Sequence, residues 1–235
     1  MVALFGRSVH DISQIFNVSL TYVHTHFTVL LQSLDQPWIQ NNLSEFTAAI
    51  HEKGAPLQNC WAFIDGTVRP MCRPMLNQKV VYNGHKRVHA LKFQGLTTPN
   101  GLIANLAGPY EGKKHDASLL AESEILEDLS NLRGTRGEEV CIYGDAAYPM
   151  HPSLIAPFPT RNLTPEQAAF NLGMSKVCQA VEWSFGKVIQ QFAFLDLKKK
   201  LKLNLQPLGK YYIVGTILTN CHTCTYDSQT SNYGS

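Results

Sequence analysis

The chain has 235 residues, of which 44% are apolar and 16% are charged, and its formal net charge at pH 7 is +2. This length and apolar content suit one domain of moderate size with a smaller appendage, and the low net charge excludes a polycation. No apolar run reaches the roughly 18 residues of a membrane span and residues 1–13 lack the apolar core of a secretory signal, so we expect an intracellular protein.

The N-terminal residues have a helical pattern. Asp11 leads a first helix, residues 17–19 predict a break, and Ser19 is a suitable N-cap for a second helix. One face of that second helix carries apolar residues, namely Val23, Phe27, Leu30, Leu31 and Leu34. This order of a helix, a tight turn and a second helix predicts a helix-turn-helix-like region within residues 1–55. An ordinary helical hairpin is the alternative, because the exposed face lacks the Arg and Lys that read bases.

A mixed pattern of strands and helices follows. Short apolar runs predict strands over residues 60–64, 89–97, 102–107 and 140–143. Helices are predicted over residues 114–126, from a capping box at Thr164 to a stop at Gly173, over 175–192 and over 211–221. Four prolines between residues 149 and 159 argue against regular structure there. This order predicts an α/β fold with a mixed sheet flanked by helices, followed by a disordered tail over 226–235.

Two predicted strands end in an acid that precedes a small residue, at Asp65-Gly66 and Asp145-Ala146. A carboxylate at the end of a buried strand loses hydration, so a cation or a hydrogen-bond donor is expected beside it. Glu182 lies on the flank of a helical apolar stripe and supplies a third carboxylate. Three carboxylates suit Mg²⁺ or Mn²⁺, and two such ions about 4 Å apart can catalyse phosphoryl transfer. The alternative is that each acid is a separate turn or cap residue.

Basic residues cluster in two segments. The first, residues 79–92, contains Lys79, Lys86, Arg87 and Lys92 and no acid, together with His85 and His89. The second, residues 198–202, contains four lysines. Both segments fit a nucleic-acid surface, and the second also fits a nuclear import signal. A solvated loop or helix face is the alternative for each.

Six cysteines are present. Cys60 and Cys141 lie in or beside apolar runs, which favours buried structural thiols. Cys221 and Cys224 form a single CxxC motif with no second ligand pair at matching spacing, so structural thiols are favoured over a metal or redox site.

A set of motifs in the chain resembles the PIF/Harbinger superfamily of transposases and the nuclease-like proteins derived from them. The motifs lie in family order over residues 60–224 and are FIDGT (63–67), YNGHKRVHALKFQ (82–94), GLIANLAGPYEGKKHD (101–116), YGDAAYP (143–149), FN (170–171), VEWSFG (181–186) and KKKLKLNL (198–205). Residues 4–17 also resemble the family's segment upstream of the catalytic region.

The resemblance implies an RNase H-like nuclease domain over residues 56–225. It implies a DDE triad of Asp65, Asp145 and Glu182, which serve as both catalytic residues and ligands of Mg²⁺ or Mn²⁺. Lys113 and Lys114 then join His85, Lys86, Arg87 and His89 as predicted DNA contacts. The same motif contains His115 and Asp116, which are candidates for a secondary role, although an acid at a helix start is also favoured by the helix dipole alone.

Members of this family cut DNA at transposon ends and join the ends to a target. They usually have a separate Myb-like partner that assists DNA binding and nuclear entry. The resemblance therefore implies DNA as the substrate, a nuclear location and the possibility of an oligomer.

A second hypothesis is a domesticated, catalytically silent protein that binds DNA or recruits a partner. Residues 174–180 contain only Lys176 where the family usually has arginine, and the helical region before the catalytic part is expected to be truncated. A third hypothesis is a glycosidase that uses a pair of carboxylates. The basic segments and the lack of an aromatic sugar platform argue against it.

Overall fold

The structure is a computed structural model that describes residues 2–134, 137–196 and 207–226, without the side chains of residues 2, 3, 179–183 and 196. The lysine-rich segment 198–202 and residues 227–235 of the predicted tail lie outside the described residues. The described helices and strands are α1 (Val2–Phe5), α2 (Val9–Phe27), α3 (Pro37–Glu52), β1 (Cys60–Pro70), α4 (Gln78–Val81), β2 (Tyr82–Asn83), β3 (Val88–Thr97), β4 (Ile103–Glu111), α5 (Asp116–Glu122), α6 (Ile125–Asn131), β5 (Cys141–Tyr143), β6 (Leu154–Ile155), α7 (Pro165–Gln191) and α8 (Leu208–Tyr226).

Strand β1 lies at the centre of a mixed sheet. It pairs with β3 in the antiparallel direction and with β5 in the parallel direction. β2 and β4 both pair with β3, and β6 pairs with β5, so the strand order is β2-β3-β1-β5-β6 with β4 as a further partner of β3. This mixed sheet with flanking helices confirms the predicted fold class and is consistent with an RNase H-like fold.

Alternate residues of the central strands face two hydrophobic cores. Phe63 of β1 and Tyr143 of β5 pack in a core with residues of α7 and α8. Ile64 and Ile142, their neighbours along the chain, pack in a second core with residues of α3, α5 and α6. Because consecutive side chains of a strand point to opposite faces, these two cores make the sheet the middle layer of three. None of the described helices is long and apolar enough to cross a membrane.

The break predicted at residues 17–19 is wrong, because α2 is continuous from Val9 to Phe27. Ser8 and Asp11 form a capping box at its start, and the side-chain amide of Asn17 donates a hydrogen bond to the carbonyl oxygen of Ser13 at 2.9 Å. No glycine or proline interrupts this stretch, so the helix continues through a residue that often ends one. The domain boundaries at residues 55 and 225 remain a prediction.

The C-terminal stop predicted at Gly173 is also wrong. The capping box of Thr164 with Gln167 is confirmed, but α7 then runs unbroken from Pro165 to Gln191. A Cβ on Gly173 would lie 2.9 Å from the Cδ of Pro56. The glycine therefore lets α7 lie close to the loop between α3 and β1. This packing outweighs the cost of about 1 kcal/mol for a glycine inside a helix.

Three further element boundaries differ from the sequence patterns. β1 continues beyond Ile64 to Pro70, so Asp65 lies within the strand, where burial begins to decrease. The helix predicted over residues 114–126 is divided at Glu124, which has a positive φ of 56°. The proline-rich stretch contains the short strand β6, which pairs with β5.

We expect Gly95→Ala to lower the free energy of unfolding by about 1–3 kcal/mol, because overpacking a full core forces neighbours apart. Gly95 pairs with Asp65 across the sheet, and a Cβ there would lie 2.6 Å from the ring of the buried Phe185. Urea unfolding measures the change.

Gly186→Ala is the matched control, since nothing lies within 4 Å of its Cβ position in α7. This variant should be unchanged or more stable by about 0.5–1 kcal/mol, because alanine favours the helix. Equal losses in the two variants would contradict the packing account.

Candidate active site

The parallel pairing of β1 with β5 brings Asp65 and Asp145 to the same level of the sheet. Phe63 and Tyr143 are paired across these strands, and each acid follows its strand residue by two positions. Asp65 is half-buried, and one of its carboxylate oxygens accepts a hydrogen bond from the backbone N–H of Gly66 at 2.7 Å. The two acids that the sequence patterns single out are therefore neighbours in the fold.

The carboxylate of Asp145 lies at the surface, immediately after β5. Partial desolvation raises its pKa above the ordinary value, and the negative charge of Asp116 raises it further. The backbone N–H of Ala147, which donates to Oδ1 at 3.0 Å, and the ammonium of Lys92 act in the opposite direction. Asp145 thus lies within electrostatic reach of a second acid and of one buried cation.

Asp116 is the first residue of α5 and points toward the central strand. A Cβ on Gly66 would overlap with its Oδ1, so any larger residue there would require this carboxylate to move. The ammonium of Lys92, from β3, is 2.6 Å from the same oxygen. The secondary candidate Asp116 therefore adjoins the residue that follows Asp65. His115 is the N-cap residue of α5 and makes no side-chain capping bond.

The buried side chain of Tyr148 lies among all three aspartates. Burial raises its pKa most, and the charges of Asp116, Asp65 and Asp145 each raise it further. Its hydroxyl finds no hydrogen-bond partner among the described residues. The side chain of Tyr148 therefore lies within electrostatic range of all three carboxylates.

A groove of about 510 Å³ opens beside Asp65. Its walls come from β1, from the turn after β2 and from α7, and they include Asp65, Thr67, Arg69, Lys86, Phe185 and Gly186. The guanidinium of Arg69 donates a hydrogen bond to the hydroxyl of Thr67 and lies 5.1 Å from the ring centre of Tyr212. One candidate acid and two basic side chains thus share a concave surface.

Glu182, the third predicted acid, belongs to α7, but its side chain lies outside the described residues. Phe185 and Gly186, about one helical turn further along, line the groove. Among the side chains that the structure describes, no three His, Cys, Asp or Glu groups are placed to hold a metal ion. The complete triad therefore remains a prediction.

The predicted DNA contacts of the first basic cluster differ in their surroundings. His85, Lys86 and Arg87 are exposed in the turn between β2 and β3, and Lys86 borders the groove. The backbone N–H of Lys86 donates to the side chain of Asn83 at 2.8 Å, which fixes the turn. The ring of His89 instead packs against the ring of Tyr82, with 5.3 Å between the ring centres.

Lys113 and Lys114 each face a carboxylate. Lys114 forms a 2.8 Å ion pair with Glu122, and Lys113 lies 4.0 Å from Glu111. Both pairs are at least partly exposed, so water and salt weaken them. The role of these lysines in DNA binding is still a prediction.

Sequence patterns missed the buried state of Lys92. The basic segment 79–92 predicts a surface position for Lys92, yet its side chain is only 7% exposed and is paired with Asp116. The available signal was its position in a predicted strand between Leu91 and Phe93, because a lysine must be paired to be buried there. Arg69 lies in none of the quoted motifs, whereas Thr67 and Tyr148 lie in motifs that were selected for their aspartates.

The cysteine predictions are confirmed for the two strand residues. Cys60 and Cys141 are buried and pair across β1 and β5. A hydrogen bond with Cys141, together with burial, raises the pKa of the Cys60 thiol well above its usual range. Cys221 and Cys224 are exposed near the end of α8, and their role stays open.

We expect Gly66→Ala to destabilise the fold by displacing Asp116, and to do so less when Asp116 is also shortened to alanine. The free energies of unfolding of the two single variants and the double variant form a cycle with a coupling of about 0.5–3 kcal/mol. Urea titration supplies the values. Strictly additive effects would show that the close approach of Asp116 to Gly66 does not exist in solution.

A family model described as DDE superfamily endonuclease matches residues 64–220. The match covers more than half of the chain and includes Asp65, Asp145 and Glu182. No curated protein and no solved structure matches the chain.

Proposed function

Because the chain belongs to the DDE superfamily of endonucleases, we propose that it cuts and joins DNA with Asp65, Asp145 and Glu182 as its catalytic acids. Endonucleases of this family act on DNA and generally use divalent metals. The observation that carries the proposal is the parallel pairing of β1 and β5, which brings two of the three acids to the same level of the sheet. Asp65, one of the two, also lines a groove that a lysine borders.

The donor chemistry at the two strands fits Mg²⁺ or Mn²⁺. Carboxylate oxygens are the hard ligands that these ions prefer. The charges of Asp65, Asp116 and Asp145 all act on the buried Tyr148, and the ammonium of Lys92 offsets part of this negative charge at Asp145. Asp65 and Asp145 would hold the metal, with Glu182 as a further ligand. When bound, the metal supplies activation of a water or 3′-hydroxyl and stabilises the leaving oxygen.

The groove residues would position the substrate. Lys86 borders the groove as an exposed ammonium and can bind a backbone phosphate without reading the base. Arg69 is held at the same surface by Thr67 and by the ring of Tyr212, so its guanidinium loses little freedom on binding. Asp65 lies inside a paired strand, which keeps its carboxylate in one place relative to the bound phosphate.

We further propose that the protein belongs to the PIF/Harbinger branch, acts in the nucleus and works with a Myb-like DNA-binding partner. The motifs over residues 60–224 support this assignment. Strand transfer to a target, rather than simple hydrolysis, follows from the same resemblance. A catalytically silent DNA-binding role is the alternative.

In a plasmid-nicking assay with Mn²⁺, Asp65→Asn, Asp145→Asn and Glu182→Gln should each reduce the rate at least about 100-fold, because each removes a metal ligand's charge. The readout is conversion of supercoiled to open-circular DNA on a gel. Asp35→Asn is the matched control, since this exposed acid lies outside the groove and should change the rate less than twofold.

Two outcomes would overturn the enzymatic proposal. Equal nicking by the wild type and all three triad variants would show that the activity comes from elsewhere. No nicking by any protein, with duplex binding that persists in EDTA and in the triad variants, would establish the silent DNA-binding role instead.

Lys86→Ala should weaken binding to a short duplex and make the binding less sensitive to salt. Each lost phosphate contact reduces the slope of log K against log salt concentration by about 0.9. Fluorescence anisotropy in EDTA at several NaCl concentrations measures both effects. Lys53→Ala, an exposed lysine at the end of α3, is the control and should leave the slope unchanged.

A further inference from the structure

Lys92 is a charged residue in the interior of the sheet. Only 5% of the surface of Lys92 is exposed. Its ammonium donates hydrogen bonds to Oδ1 of Asp116 at 2.6 Å and to the carbonyl oxygen of Lys114 at 3.0 Å. Lys92 therefore has two fixed acceptors, both at or just before the start of α5. A buried ammonium held in this way has little freedom to move.

The acid that Lys92 holds is close to the candidate metal ligands. Oδ1 of Asp116 is the atom that a Cβ on Gly66 would meet, and Gly66 directly follows Asp65. The charge of Asp116 acts on Asp145 and on Tyr148, and the charge of Lys92 acts on Asp145 as well. The ammonium of Lys92 thus lies beside the carboxylates that would face a divalent cation in the proposed site.

We propose that Lys92 is a positioning residue that occupies Asp116 and so keeps it from serving as a metal ligand. This inference rests on the proposed function, in which Asp65 and Asp145 bind the metal. The ammonium has two effects: it engages the nearest oxygen of Asp116, and its positive charge opposes the approach of a divalent cation. Both effects lower the metal affinity of the site and keep its ligand set small.

Mn²⁺ titration of the metal-free protein by calorimetry tests this inference without relying on activity. Lys92→Met removes the charge but keeps an unbranched chain of similar length, and it should bind Mn²⁺ at least about tenfold more tightly than the wild type. Lys92→Arg keeps the charge and the ion pair, so it should bind Mn²⁺ like the wild type.

The double variant Lys92→Met with Asp116→Asn restores the net charge of the wild-type site. Its Mn²⁺ affinity should return to within about threefold of the wild-type value, because both the obstructing cation and the released acid are gone. Asp116→Asn alone leaves the lysine without its acid and should bind Mn²⁺ several-fold more weakly than the wild type. Circular dichroism checks that each variant is folded. If Lys92→Met does not fold, the single variants Lys92→Arg and Asp116→Asn still test the inference.

The outcomes separate this inference from the proposed function. If Asp65→Asn and Asp145→Asn abolish Mn²⁺ binding but Lys92→Met leaves the affinity unchanged, Lys92 has only a structural role and the inference fails alone. If the double variant binds as tightly as Lys92→Met, Asp116 is not the released ligand and the inference also fails. If Asp65→Asn and Asp145→Asn leave Mn²⁺ binding intact, or if neither wild type nor Lys92→Met binds Mn²⁺, the proposed metal site itself fails.

Discussion

The candidate active site depends on the parallel pairing of β1 and β5, two strands that lie far apart in the sequence. The pairing is held by buried residues on both faces, with Phe63 and Tyr143 on one side and Ile64 and Ile142 on the other. A slip of one residue would turn every one of these side chains to the wrong core, so the register is strongly fixed. The same register determines where Asp65 lies relative to its partner strand, so core packing also fixes the geometry of the candidate site.

Each aspartate of this site has a local partner that offsets part of the cost of removing its charge from water. The structure places a buried ammonium from Lys92 beside Asp116, while Asp65 and Asp145 have backbone N–H donors. Tyr148 lies within the field of the three acids and stays in its neutral form, as both burial and negative charge raise its pKa. Clustered, partly buried carboxylates lower the stability of the fold. The same clustering provides the negative charge that a divalent cation requires.

The sequence predicted the elements that have strong local signals and missed those determined by tertiary contacts. Strand positions, the capping box at Thr164 and the two strand acids follow from apolar runs and turn residues, which act over a few positions. The stop predicted at Gly173 failed because its glycine serves packing against Pro56, which no local pattern reveals. Lys92 appeared to be a surface base because its partner, Asp116, follows 24 residues later, across a strand and a turn.

The unbroken course of α7 has a consequence for how this chain can change in length. Met174, Val177 and Val188 are all buried in the same core, on a helix whose residues are spaced by about 100° and 1.5 Å. One inserted or deleted residue between positions 177 and 188 would rotate one end of the helix by about 100° relative to the other. The buried residues on one side of the change would then no longer face the core. Insertions between members of this lineage should therefore gather in the proline-rich loop before Thr164, whereas the interval from Met174 to Val188 should keep a constant number of residues.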